Sequence, residues 1–219
     1  MRCWKAGLLF ASFAFACAFA VTGWADAPPS DAERLVRAAQ KVDLDRAHEI
    51  NMDSCFRCHG AEGLSTDPDT PRLAGQHFDY IARQLADFQS GRRESDVMQR
   101  MAADLTEEEM LALGVYFNVK PSPPQRVRDS ELAAVGRFLY HRGNEFSGVP
   151  NCAGCHGGRG MGTSDLPRLA GQSMRYTETQ LQLFSERPRT EGNEVMHEVA
   201  SKLTELEIRA LAAYISSME

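Results

Sequence analysis

Cys55-Phe56-Arg57-Cys58-His59 and Cys152-Ala153-Gly154-Cys155-His156 each place two thiols three positions apart with an imidazole directly after the second. Thiols at this spacing on one turn of chain can reach the two vinyl groups on one edge of a porphyrin, and the adjacent histidine is then held beneath the iron. One such pentapeptide fits a zinc half-site, and a bare C-x-x-C fits a redox disulfide. Two copies, each followed by histidine, point to two covalently bound haem c groups.

Iron held by histidine on one side takes a sixth ligand, and methionine is the one that raises the potential. The candidates are Met98, Met101 and Met110 beside the first pentapeptide, and Met174, Met196 and Met218 beside the second. A methionine at helical spacing is more often filling a core. Met98 and Met196 alone occupy matching positions, each followed by the leucine (Leu105, Leu203) that opens an acidic helix start. The expected iron ligands are therefore His59, Met98, His156 and Met196, with Met101 as runner-up in the first half. His77 and His197 have no counterparts and are expected at the surface. Pro71 and Pro167 lack an amide hydrogen, but their carbonyls can accept from the second ring nitrogen of the histidines, fixing each ring; a plain turn is the alternative. Arg72 and Arg168 suit a haem propionate as well as they suit solvent. No residue is expected to be catalytic.

These residues sit in a unit written twice. Pro71-Arg72-Leu73-Ala74-Gly75-Gln76 recurs unchanged as Pro167-Arg168-Leu169-Ala170-Gly171-Gln172. Tyr80, Gln84, Leu85 and Phe88 return as Tyr176, Gln180, Leu181 and Phe184, and Tyr116 returns as Tyr214. The offset is 97 at the pentapeptides, 96 at the proline run and 98 at the methionines, so two small length changes separate the copies.

Apolar residues at helical spacing predict a helix over 31–50, with Leu35, Val36, Ala39 and Val42 on one face. Further helices are expected over 77–89, 106–117, 131–142, 173–186 and from Thr204 to the end. Thr106-Glu107-Glu108-Glu109 and Thr204-Glu205-Leu206-Glu207 are capping boxes. Tyr116 and Tyr214 are expected to pack each last helix on its first. No stretch alternates as a strand does, so the fold class is all-α, a few short helices packed around each haem. The expected divisions are a signal peptide at 1–27, domains at 28–120 and 130–219, and a proline-containing linker at 121–129.

The amino terminus carries Arg2 and Lys5, an apolar run from Ala6 to Val21, and Ala25-Asp26-Ala27 as a cleavage site. Export is expected, to the periplasm, with no permanent membrane anchor, because the run falls short of the roughly 20 residues of a membrane span. Cys3 and Cys17 leave with this segment, so every remaining cysteine belongs to a pentapeptide. The formal net charge of −6 argues against nucleic acid as a partner. Beyond the leader only Lys41, Lys120 and Lys202 are lysines, too few for a docking ring.

Two C-x-x-C-H units, a P-R-L-A-G-Q run after each, a methionine before an acidic helix start and a proline-containing linker resemble the dihaem cytochrome c4 family across nearly the whole mature chain. The resemblance implies two tandem class I cytochrome c domains. It implies a periplasmic carrier moving electrons from a quinol-oxidising complex to a terminal haem–copper oxidase. It also implies Cys55, Cys58, Cys152 and Cys155 as the attachment points for haem. The opening of the first unit departs from the pattern: 43–51 lacks the glycine-containing helix of the second unit, around Gly136. Two other readings stay open. One is a dihaem enzyme of peroxidase or thiosulfate dehydrogenase type, which needs an exchangeable position on one iron. The other is a cytochrome subunit docked on a dehydrogenase.

Overall fold

A computed structural model describes residues 28–186, 189 and 194–219. The leader expected at 1–27 lies outside the described residues. The first helical group comprises α1 (Asp31–Ala39), α2 (Leu44–Ile50), a π-helical turn (Asn51–Cys55), α3 (Phe56–His59), α4 (Phe78–Gln89), α5 (Asp96–Ala102) and α6 (Glu107–Asn118). The second comprises α7 (Ser130–Arg142), α8 (Ala153–His156), α9 (Met174–Ser185), α10 (Glu194–Ala200) and α11 (Glu205–Ser217). Among the described residues the fold is helical, with one isolated antiparallel bridge between Asn144 and Val149.

The helix expected over 31–50 is two helices. Asp43 is extended (φ −87°, ψ 102°), and its carboxylate accepts from Arg46 N at 2.9 Å to start α2. The apolar spacing runs through the break because Val42 still packs inward. Both predicted capping boxes form, with Thr106 and Glu109, and Thr204 and Glu207, satisfying each other's backbone amides.

The last helix of each group is its hub. α6 buries Ala112, Leu113 and Phe117 against Ala47 and Ile50 of α2 and Ile81 of α4. α11 buries Ala210, Leu211 and Ile215 against Leu139 and Tyr140 of α7. Gly136 makes the second crossing possible: a Cβ there would run into the Ala210 carbonyl of α11. The first group solves the same problem elsewhere. Gly114 on α6 lies against the Phe78 backbone at the start of α4, and α2 presents fully buried Ala47.

The groups meet along a seam with approximate two-fold character. Arg93 donates to the Tyr176 hydroxyl and to Gln180 Oε1, both at 2.9 Å. Arg189 donates back to the Tyr80 hydroxyl at 2.9 Å and to Gln84 Oε1 at 3.0 Å. Each guanidinium stacks on a phenyl ring of its own group, Phe88 and Phe184, at 4.5 Å. Segment 121–129 runs along this seam, where Gln125 N donates to Ser216 O at 2.8 Å.

Candidate functional site

Both pentapeptides form a single helical turn. In the first, the π-helical turn delivers Cys55 into α3; in the second, Cys152 caps α8. One turn brings residues i and i+3 to the same side, so each thiol pair faces one way. Gly60 (φ 77°) and Gly157 (φ 80°) then turn the chain off the helix directly after each histidine. All four thiols are free, with Cys58 and Cys155 exposed and Cys55 and Cys152 half-buried. Burial pushes the Cys55 and Cys152 thiols up to about 11. Among the described residues no group of three His, Cys, Asp or Glu side chains gathers at either pair, so a tetrahedral zinc site lacks its remaining ligands.

His59 and His156 are 8% and 7% exposed. Burial lowers the pKa of each ring, and a backbone carbonyl partly opposes that. The carbonyls are the expected ones: Nδ1 of His59 donates to Pro71 O at 2.9 Å, and Nδ1 of His156 to Pro167 O at 3.1 Å. Each ring is therefore neutral, fixed in direction, and left with an unprotonated Nε2. The Pro-Arg-Leu-Ala-Gly-Gln runs are held alike. Leu73 and Ala74 amides donate to Gly63 O at 2.8 and 3.1 Å; Leu169 and Ala170 amides donate to Gly160 O at 2.7 and 3.0 Å.

Met98 and Met196 fall at the third position of α5 and α10, both half-buried. The Met98 amide is tied to the Ser95 hydroxyl at 3.3 Å. Met101 is 46% exposed, Met110 is buried inside α6, and Met218 is packed against Gly160. A thiol pair, a neutral buried imidazole with one nitrogen available, and a half-buried thioether on a separate short helix form a donor set that fits haem c.

Other expectations land differently. Arg72 is buried and Arg168 half-buried, and both donate to backbone carbonyls between the two groups. Arg72 Nη1 donates to Gly171 O at 2.7 Å and Pro123 O at 2.8 Å, and Arg168 Nη2 donates to Ser122 O at 3.3 Å. They are seam residues, and burial lowers both guanidinium pKa values. His77 and His197 are half-buried, bonded to Met161 O and Phe184 O at 2.8 Å. Tyr116 and Tyr214 do pack the last helices, and each also bonds a histidine that the sequence reading passed over. His48 Nδ1 lies 3.2 Å from the Tyr116 hydroxyl, and His141 Nε2 lies 2.9 Å from the Tyr214 hydroxyl. In the first group Asn51, fully buried, donates to Ala61 O at 2.9 Å beside this pair.

The family model described as Cytochrome c matches residues 140–219. The chain is similar to cytochrome c4 of Thiocapsa roseopersicina, 39% identical over 83% of this chain and 96% of the relative. It is similar to a thiosulfate dehydrogenase electron acceptor of Stutzerimonas stutzeri, 36% identical over 75% of this chain and 79% of the relative. Its structure resembles that of reduced recombinant cytochrome c4 from Pseudomonas stutzeri, with TM-score 0.76 and 31% identity, covering 81% of this chain and 100% of that one.

Proposed function

The chain belongs to the cytochrome c4 family, and from that membership we propose that it is a periplasmic shuttle carrying electrons between protein partners. It carries two covalently bound haem c groups and is an electron carrier, not an enzyme. In this reading 28–120 and 130–219 are class I cytochrome c domains joined by the linker 121–129, and 1–27 is the export signal. Cys55 and Cys58 attach one haem and Cys152 and Cys155 the other. His59 with Met98, and His156 with Met196, would bind the two irons. Bound haem supplies a reversible one-electron store, and these residues would hold it and complete the coordination of the iron.

The observation that carries the reading is the matched construction of the two sites. Each has a buried histidine tied through Nδ1 to a proline carbonyl, and each has a half-buried methionine at the same place on a short helix. An iron with both positions filled exchanges electrons and does not bind a small substrate. The electrons are proposed to pass from a quinol-oxidising complex to a terminal haem–copper oxidase. A dehydrogenase as donor is the second reading, favoured by the relative named as a thiosulfate dehydrogenase electron acceptor. Encounters of this kind use small interfaces, below about 1,200 Å² in total.

Steady-state assays of the purified protein with peroxide or with thiosulfate test the proposal. Background rates are expected; a saturable rate with either compound, lost on altering Met98 or Met196, contradicts it. Cell fractionation tests the location, with the mature chain expected to begin at Pro28 in the periplasmic fraction.

A further inference from the structure

One peptide group in each half holds two partners at once. The carbonyl of the Pro71–Arg72 peptide accepts from His59 Nδ1 at 2.9 Å, and the amide of the same peptide donates to Gln172 Oε1, in the other half, at 2.9 Å. The reverse arrangement holds as well. Pro167 O accepts from His156 Nδ1 at 3.1 Å, and Arg168 N donates to Gln76 Oε1 at 2.8 Å. Each glutamine closes a ring with its target: Gln172 Nε2 donates to Arg72 O, and Gln76 Nε2 to Arg168 O, both at 2.9 Å. Each Oε1 also accepts the next amide of its own chain, Ser173 N at 2.8 Å or His77 N at 3.0 Å, which fixes the direction of the side-chain amide. Gln76 is 7% exposed and Gln172 half-buried, so water does not compete strongly for these bonds.

Hydrogen bonds in series polarise one another, so an amide that donates makes the carbonyl of its own peptide a better acceptor. A better acceptor on Nδ1 makes the imidazole a stronger electron donor through Nε2, which favours the oxidised metal. We propose that Gln172 is a positioning residue for the iron held by His59, and Gln76 for the iron held by His156. Each half of the protein thereby sets part of the other half's reduction potential. The proposal rests on the haem reading above; the two glutamines themselves are not placed against haem and act through His59 and His156.

The test uses the full two-haem protein, with stoichiometry checked by mass and each haem assigned by NOEs to its own half. Optical redox titration of Gln172→Leu should raise the potential of the His59 haem alone, equivalent to roughly a two- to tenfold change in its oxidation equilibrium. Gln172→Glu keeps the acceptor and adds charge, so it should lower that potential, and the hyperfine-shifted His59 Nδ1 proton should move in opposite senses in the two variants. Gln76→Leu and Gln76→Glu should act in the same way on the His156 haem. Should Gln172→Leu not accumulate, Gln172→Asn, which withdraws the acceptor by one methylene, replaces it. An unchanged potential with both haems present overturns the proposal. A shift of the same sign in both haems, for Leu and Glu alike, also overturns it, because that is what a loosened seam produces. Absence of covalent haem from the parent protein would instead overturn the haem reading.

Discussion

Arg93 and Tyr176 meet across the seam, the guanidinium Nη2 donating to the phenol at 2.9 Å, and Arg189 returns the contact to Tyr80 at 2.9 Å. Both arginines are more than nine-tenths buried. Removing one takes a charge-assisted bond from the phenol on the opposite half and leaves Gln84 and Gln180 Oε1 to the other arginine. Arg93→Ala and Arg189→Ala are each expected to lower stability by about 1.5–3 kcal/mol, the range for hydrogen bonds to charged groups. Thermal unfolding followed at the Soret band measures this, with the native-state spectrum unchanged before the transition.

The crossing of α7 and α11 depends on Gly136. Gly136→Ala places a methyl group against backbone that cannot withdraw, so a loss of about 1–3 kcal/mol is expected, as for overpacking generally. Gly148→Ala is a weaker perturbation, because a Cβ there meets nothing within 4 Å; its cost comes from the positive φ of 70° alone. Denaturant midpoints of the two variants should rank in that order.

Met98→Ala and Met196→Ala are each expected to turn one haem from low to high spin and lower its potential, since thioether ligation favours ferrous iron. Met101→Ala should leave both spectra as they are, since Met101 is 46% exposed and Met98 is half-buried. Absorption and spin-state spectra of the three variants check this. A spin change in Met101→Ala would move the ligand to that residue.

Glu109 links pH to stability. The Thr106 amide first, then the Arg46 guanidinium, hold its carboxyl below its ordinary value of 4.5. A depressed carboxyl stabilises the fold above that value, and the contribution is lost as pH falls through the lower folded-state value. Glu109→Gln preserves the cap but not the charge, so it should cost about 0.5 kcal/mol at pH 7, as for an exposed pair. The two proteins should converge in acid-unfolding curves once the pH has fallen below the lowered folded-state value.

The parts of the fold that depend on near neighbours in the chain were legible in the sequence. The pentapeptide turns, the capping boxes and the proline carbonyls behind His59 and His156 all involve contacts over a dozen residues or fewer. Arg72 was not legible, since its acceptors include Gly171, 99 positions away. The unchanged recurrence of Tyr80 and Gln84 as Tyr176 and Gln180 was a signal for the seam, because polar residues repeated that faithfully need a common partner. His48 and His141 escaped for a different reason. They are spatial equivalents but do not align at the offset of 97, because the Gly143–Asn151 approach to Cys152 is longer than the π-helical turn that leads into Cys55. The break before α2 was within reach, as Asp43 is a standard capping residue.

Both halves are expected to carry electrons to and from proteins. Stopped-flow mixing of the fully reduced protein with membranes containing a haem–copper oxidase measures this. Oxidation of both haems within the turnover time of the oxidase is the predicted result. Oxidation of one haem with the other left reduced, or of neither, would contradict it.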